Sequence, residues 1–417
     1  MASAGAKRRR SLTNVGGTVD MAGDREVASH LAQALDVAPA KAPDGSSETD
    51  DADRVHVHGF HTYPARMHPS TAGRLVRALA REGATVFDPF CGSGTVLVEA
   101  MLAGRHAVGT DLNPLAVRLA RLKTSGLDEA ACAALVAQAR EVATFADERR
   151  RRRAGSTRRY PRADMEVFDP HVLLELDSVR AGIMERVTDA TMRGALELVL
   201  SAILVKLSRR TSDTSGALLS RRLAAGFAAR LFARKAEELA RRLGEMRALL
   251  PPGSGPARVE LDDATRLQTI KASTVDAVVA SPPYVATYDY LAQHELRMRW
   301  LDLDARGLLA GEMGARRRYA ELDARGAGAA WRRELIAALR AIARVCRKGA
   351  KVALLVGDSA VQGEALRADA IVASVAGESG LTWVARASQT RPHFHGPGAP
   401  AFRGAPRAEH AIVLEKR

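Results

Sequence analysis

Apolar residues recur along this chain in two rhythms, and the points where one gives way to the other divide it. STAGRLVRALA, from Ser70 to Ala80, has helical spacing, and the ATVFDPF that follows soon after is a continuous apolar run of strand length. TVLVEAMLAG then predicts a helix ended by Gly104, HAVGTDLN a second strand, and PLAVRLARLKT a second helix with Pro114 in its first turn. Strand, helix, strand and helix within about forty residues open a parallel α/β sheet.

Between Asp128 and Leu250 the pattern is helical throughout, as in GFAARLFARKAEELARRLGEMRALL, broken by a Ser/Arg/Thr-rich loop, SRRTSDTSG. After PPGSGP the strands resume. ARVELDDA, VDAVVA and KVALLVGDS are strands, and WRRELIAALRAIARVCRKG is a helix capped by Gly349. LTWVARASQ and HAIVLEKR predict an antiparallel hairpin closing one edge of the sheet. The expected organisation is therefore a disordered tail over 1–53, with at most a short helix near Arg25 to Leu35, one α/β domain over 54–126 and 256–417, and an Arg-rich helical insertion over 127–255. No internal repeat interrupts this pattern.

Composition adds three constraints. The 417 residues, 47% of them hydrophobic, can bury a substantial core, and no apolar run approaches membrane-spanning length, so a cytoplasmic protein is expected. Only three cysteines occur, Cys91, Cys132 and Cys346, without the paired spacing of a disulfide framework or a zinc site. The formal net charge of +14 attracts phosphate-rich polymers, and Lys7 to Arg10, Arg149 to Arg153, Arg158, Arg159 and Arg162 are the densest basic runs. Solvated surface arginine is the competing reading of each run.

Candidate chemistry sits at strand ends. In VFDPFCGSGT the strand ends at Asp88, and Gly92 and Gly94 allow a close backbone approach to a ligand before a helix starts near Thr95. The loop is neither GxGxxG nor a lysine-bearing phosphate loop. Asp111 ends the second strand, where a carboxylate suits a ribose diol, and Asp263 ends VELDDA, placed to reach an adenine edge, with Asp262 as competitor. Any single aspartate could instead be a helix N-cap.

Strand VDAVVA runs into SPPY, Ser281 to Tyr284. Pro282 and Pro283 stiffen the loop and remove two amide donors, leaving carbonyl acceptors. An amine conjugated to a base ring needs such acceptors, because its nitrogen must become more tetrahedral as it attacks. The Ser281 hydroxyl and the Pro282 carbonyl can accept its two hydrogens, and Tyr284 can stack on an extruded base. No Pro-Cys dipeptide offers a thiolate for attack on ring carbon, and Cys91 reads as packing or cofactor contact. His56, His58, His61 and His68 have no acidic partners at ligand spacing, so no metal is expected.

DPFCGSGT and SPPY together resemble the amino-methyltransferase family of DNA methylases, which modify the exocyclic nitrogen of cytosine or adenine. The resemblance covers roughly His56 to Asp111 and Arg258 to Arg417. It implies a Rossmann-like class I methyltransferase sheet, mostly parallel with an antiparallel C-terminal edge, and S-adenosylmethionine as cofactor. It also implies cofactor contacts from Asp88, Phe90, Cys91, Gly92, Gly94 and Thr95, a ribose contact from Asp111 and an adenine contact from Asp263. FHTYPARMHP is similar to the segment beside the methionine end of the cofactor, which implicates Phe60, Tyr63, Pro64 and Arg66. Serine ahead of the prolines looks more like cytosine-directed enzymes than adenine-directed ones. The expected partner is then double-stranded DNA, with the insertion as a possible target-recognition region, and oligomeric state has no sequence signature. Methylation of RNA bases or of a protein glutamine, and nucleic-acid binding without catalysis, are the alternatives.

Overall fold

Strands that are apolar along their whole length need cover on both faces, and the chain supplies it. The structure, a computed structural model, describes residues 17–37, 54–212, 218–219, 222–391 and 396–417. The first part runs β1 (Val19–Gly23), α1 (Arg25–Leu35), α2 (Pro69–Leu79), β2 (Thr85–Asp88), α3 (Thr95–Leu102), β3 (His106–Asp111) and α4 (Pro114–Lys123). Helices alone follow: α5 (Glu129–Arg151), α6 (Arg162–Val167), α7 (Pro170–Arg186), α8 (Ala190–Leu207) and α9 (Phe227–Leu249). The remainder runs β4 (Arg258–Leu261), β5 (Val275–Ala280), α10 (Tyr290–Trp300), α11 (Arg306–Gly311), α12 (Ala324–Val345), β6 (Cys346–Gly357), β7 (Ser359–Val361), β8 (Glu364–Leu366), α13 (Ala368–Ala376), β9 (Leu381–Thr390) and β10 (Ala408–Lys416).

Eight strands form one sheet in the order β1-β9-β10-β6-β5-β2-β3-β4. From β6 to β4 neighbours are parallel, and β10, β9 and β1 add an antiparallel edge. The chain therefore has the expected α/β sheet, mostly parallel with an antiparallel edge. Its strands alternate between two buried layers: Val86 and Phe87 of β2 face opposite layers, as do Leu354 and Leu355 of β6. Helices α5, α7, α8 and α9 share the layer that holds α2 and α3, so the helical insertion packs into the same core as the sheet. Two buried contacts tie it down. His61 is hydrogen-bonded to Ser201 Oγ of α8 at 3.0 Å, and Arg297 of α10 donates to the Ser201 carbonyl and to Thr62 Oγ1.

Two expectations need correction. The region 1–53 is not all tail: β1 pairs antiparallel with β9, from Val19 opposite Gln389 to Gly23 opposite Ala385. Asp24 then caps α1, which is the short helix anticipated near Arg25 to Leu35, and Ala28, Leu31, Ala34 and Leu35 of that helix are buried. Gly23, at φ 91, is required at the corner because a Cβ there would lie 2.3 Å from the Val384 carbonyl oxygen. The outermost strand is thus N-terminal, and the C-terminal hairpin lies one strand further in. Residues 1–16, with the Lys7 to Arg10 cluster, and 38–53 lie outside the described residues.

The second correction concerns Gly349. The helix before it ends at Val345, and the chain is already extended at Cys346, which pairs with Val275 of β5. Gly349, at φ 80, falls where the pairing with β5 shifts register. It bends a strand rather than capping a helix. Among the described residues no helix is long and apolar enough to cross a membrane.

Candidate active site

The strand order reverses between β2 and β5: from β2 the chain steps outward to β3 and β4, then returns to build β5 and β6 on the other side. At such a point the loops leaving two neighbouring strands diverge and open a crevice at their carboxyl ends. Here those loops are the glycine turn after Asp88 and SPPY after Ala280.

Each arm of the crevice is held by local hydrogen bonds. Asp88 Oδ1 accepts the Phe90 amide at 3.0 Å. Gly92 sits at φ 49 and Gly94 at φ 86, where a Cβ on Gly94 would press within 3.1 Å of Ala120 on α4. Asp111 closes the turn from below, accepting the Gly92 amide on Oδ2 and the Asn113 amide on Oδ1, both at 2.8 Å. Asn113 caps α4 through its side-chain oxygen and donates from Nδ2 to the Tyr63 hydroxyl. It ties the upstream aromatic loop to the glycine turn. Asp262 and Asp263 each accept a threonine amide and hydroxyl, Asp262 from Thr269 and Asp263 from Thr265 through Oδ1, and of the two Asp263 lines the crevice.

The cavity between these arms has an empty volume of about 890 Å³ and opens to solvent. It brings together Tyr63, Arg66, Asp88, Phe90, Cys91, Gly92, Thr95, Asp111, Asp263, Ser281 and Pro283 from the sequence-derived set. Phe60, Pro64, Gly94, Pro282 and Tyr284 do not line it. Phe60 is a core residue, 1% exposed, with the Lys235 amine 5.1 Å from its ring centre. Sequence reasoning missed Ser93, Asn113, Tyr290 and the stretch from Leu308 to Met313, which covers the side near Asp263. Tyr290, stacked 6.3 Å from Tyr63, follows SPPY closely, and its aromatic neighbourhood YDY was the available signal. The Leu308 to Met313 stretch has none.

Burial dominates the electrostatics. It raises Asp88 to about 8 and Asp111 to about 6, the latter restrained by the two amides it accepts. It also holds the Cys91 thiol well above its usual range, so Cys91 is a protonated packing group. The histidine reading is corrected: an acid does accompany the histidines. Glu99 of α3 is hydrogen-bonded to His58 at 2.9 Å, and His56, His58 and Glu99 offer ligand atoms within 4.8 Å of one another. Three cations, Lys123, Arg66 and Arg242, act on these rings, against the Glu245 carboxylate acting on His56. A cation would enter against that field.

On the other arm, Ser281 Oγ donates to the Leu355 carbonyl of β6 at 3.1 Å, which leaves its lone pairs as acceptors. The Pro283 carbonyl accepts Trp331 Nε1 at 3.3 Å, while among the described residues no donor reaches the Pro282 carbonyl. Tyr284 donates its hydroxyl to Glu409 at 3.0 Å and packs on Gly357, where a Cβ would lie 2.7 Å from its ring. Gly314, at φ 68, backs the loop, and a Cβ there would approach the Tyr284 and Pro283 carbonyl oxygens to 3.0 and 3.1 Å. Gly314→Ala is accordingly expected to cost about 1–3 kcal/mol in stability by strain and crowding and to displace SPPY. The thermal unfolding midpoint should fall, and an unchanged midpoint would mean that the loop does not depend on this backing.

Residues 39–122, which include the glycine turn and both of its aspartates, match the N6/N4 family described as DNA methylase. The chain also carries local similarity to curated enzymes. The chain is 39% identical over 75 residues to Type II methyltransferase M.MvaI of Kocuria varians, covering 17% of this chain and 16% of that protein. It is 34% identical over 73 residues to Type II methyltransferase M.MjaII of Methanocaldococcus jannaschii, covering 18% and 14%. A tRNA (guanine(10)-N2)-dimethyltransferase of Methanothermobacter thermautotrophicus is 38% identical over 69 residues, covering 16% and 20%. The chain thus spans at most 20% of the length of these three relatives.

Proposed function

We propose that this chain transfers the methyl group of S-adenosylmethionine to an exocyclic base amine in DNA, with the 4-amino group of cytosine as first target. The observation that carries the reading is Ser281, whose proton is committed to Leu355 and whose oxygen therefore faces the cavity edge as an acceptor. The lining suits the cofactor: three of its acids stand at separate strands, Asp88 ending β2, Asp111 ending β3 and Asp263 following β4. Asp111 would take the ribose hydroxyls, Asp263 the adenine, and Tyr63 with Arg66 the methionine end. Bound there, S-adenosylmethionine supplies a methyl group on an electrophilic sulfonium.

The protein's own part is orientation and charge. Ser281 Oγ and the Pro282 carbonyl would hold the two amine hydrogens, directing the nitrogen lone pair to the methyl and stabilising the positive charge that builds on nitrogen, which afterwards sheds one of those protons to solvent. Pro283 and Gly314 keep that loop rigid. Tyr284 lies outside the cavity lining, tied by its hydroxyl to Glu409, so an extruded base would meet its ring beside the cavity rather than inside it.

A basic surface supports a polyanionic substrate, although the arginine run of the insertion is mostly engaged. Arg150 and Arg151 pair with Asp147, Arg158 with Asp302, and Arg162 with Glu166, leaving Arg152, Arg153 and Arg159 exposed for phosphate contact. RNA is the second reading, favoured by the similarity to a tRNA guanine methylase. Incubation with labelled S-adenosylmethionine and, separately, duplex DNA, tRNA, ribosomal RNA or protein extract, followed by mass spectrometry of the digested product, decides between them. N4-methylcytosine in DNA is expected. Label confined to RNA or protein rejects the DNA reading.

A further inference from the structure

Lys123 ends α4 with its side chain 1% exposed, and its amine donates to a single neutral acceptor, the Ser93 hydroxyl, at 3.1 Å. Among the described residues no carboxylate pairs with it. Its electrostatic neighbours are basic instead: Arg66 acts on Lys123, and Lys123 acts on His56, His58 and His61. An ammonium buried among such groups with one hydroxyl is costly, and an apolar side chain would fill the same space without that cost. Burial pushes the amine well below its ordinary range, as that cost requires.

The cost makes sense if an anion arrives. Arg66 is the one basic side chain among the residues lining the cavity, against the carboxylates of Asp88, Asp111, Asp263 and Glu312, and Ser93, also in the lining, carries the Lys123 amine behind it. The negative end of a zwitterionic amino-acid group entering this space is drawn to Arg66 and Ser93. We infer that Lys123 and Ser93 form the anion-binding corner of the cavity and hold the α-carboxylate of the cofactor's methionine moiety. Lys123 donates to the Ser93 oxygen, and the Ser93 proton, uncommitted among the described residues, turns to the carboxylate. Lys123 is a positioning residue that acts through Ser93, and the assignment rests on the cofactor reading given above.

The test uses the full chain, K123M, which keeps length and removes charge, and S93A, which leaves the lysine in place. Binding is measured calorimetrically for S-adenosylhomocysteine and for 5′-methylthioadenosine, which shares the adenosine but lacks the amino-acid end. K123M should weaken S-adenosylhomocysteine by at least about tenfold and change 5′-methylthioadenosine by less than about twofold, with S93A selective in the same direction. Equal weakening of both ligands in K123M and S93A, or no weakening of either, overturns the assignment while the cofactor reading stands. A parent protein that binds neither ligand removes the cofactor reading and this assignment with it.

Discussion

Ser281→Ala is expected to cut turnover by about two to three orders of magnitude while leaving S-adenosylhomocysteine affinity within about twofold. The hydroxyl reaches Leu355 at 3.1 Å, so its proton is fixed on the neighbouring strand and its lone pairs are aimed by the sheet itself. An amine hydrogen meeting that oxygen gains most when the nitrogen is turning tetrahedral and its hydrogens are becoming acidic. Such an interaction is stronger in the transition state than before it, so its loss falls on the chemical step. The Pro282 carbonyl persists in the variant and accounts for residual activity. Loss of the bond to Leu355 should cost only about 1 kcal/mol of stability, which thermal unfolding would register separately. Turnover within about threefold of the parent would remove Ser281 from the amine's environment and, with it, the reason for preferring cytosine.

What the sequence made legible was whatever a local signal controls. The glycine turn, the strand-end aspartates and the proline loop are short-range features, and the structure brings most of them to one cavity. The misses share a cause, which is pairing over long distance. VDMAG has no alternation of apolar and polar residues, and it becomes a strand because β9, more than three hundred and fifty residues later, offers an open edge. The turn signal at Gly349 was real, but Cys346 is extended because β5 is beside it. Glu99 meets His58 from another helix, and Lys123 meets Ser93 across the glycine turn, so no sequence spacing could have linked them. Tyr284 shows the converse: its aromatic character was legible, but the carboxylate of Glu409 that anchors it was not.

Asp88 should make cofactor binding tighten as pH rises toward about 8. In the ligand-free chain burial holds its carboxyl up at about 8, so at pH 7 it is mostly protonated. A ligand carrying a sulfonium and an ammonium favours the ionised carboxylate, so binding expels a proton and is opposed by acidity. Affinity for S-adenosylmethionine should therefore rise between pH 6 and 8, by about tenfold per unit at most, and level off above the ligand-free value. Asp88→Asn should be weaker at pH 8 and should lose that slope, which separates this group from titration of the ligand's own amine. Folding carries the opposite sign. A carboxyl raised from its unfolded value favours the folded state fully at low pH, and that contribution is lost as pH rises through about 8. The ligand-free parent should lose thermal stability over that range relative to Asp88→Asn. If binding of the parent is flat from pH 6 to 9, Asp88 is not the group that meets the cofactor's positive charge.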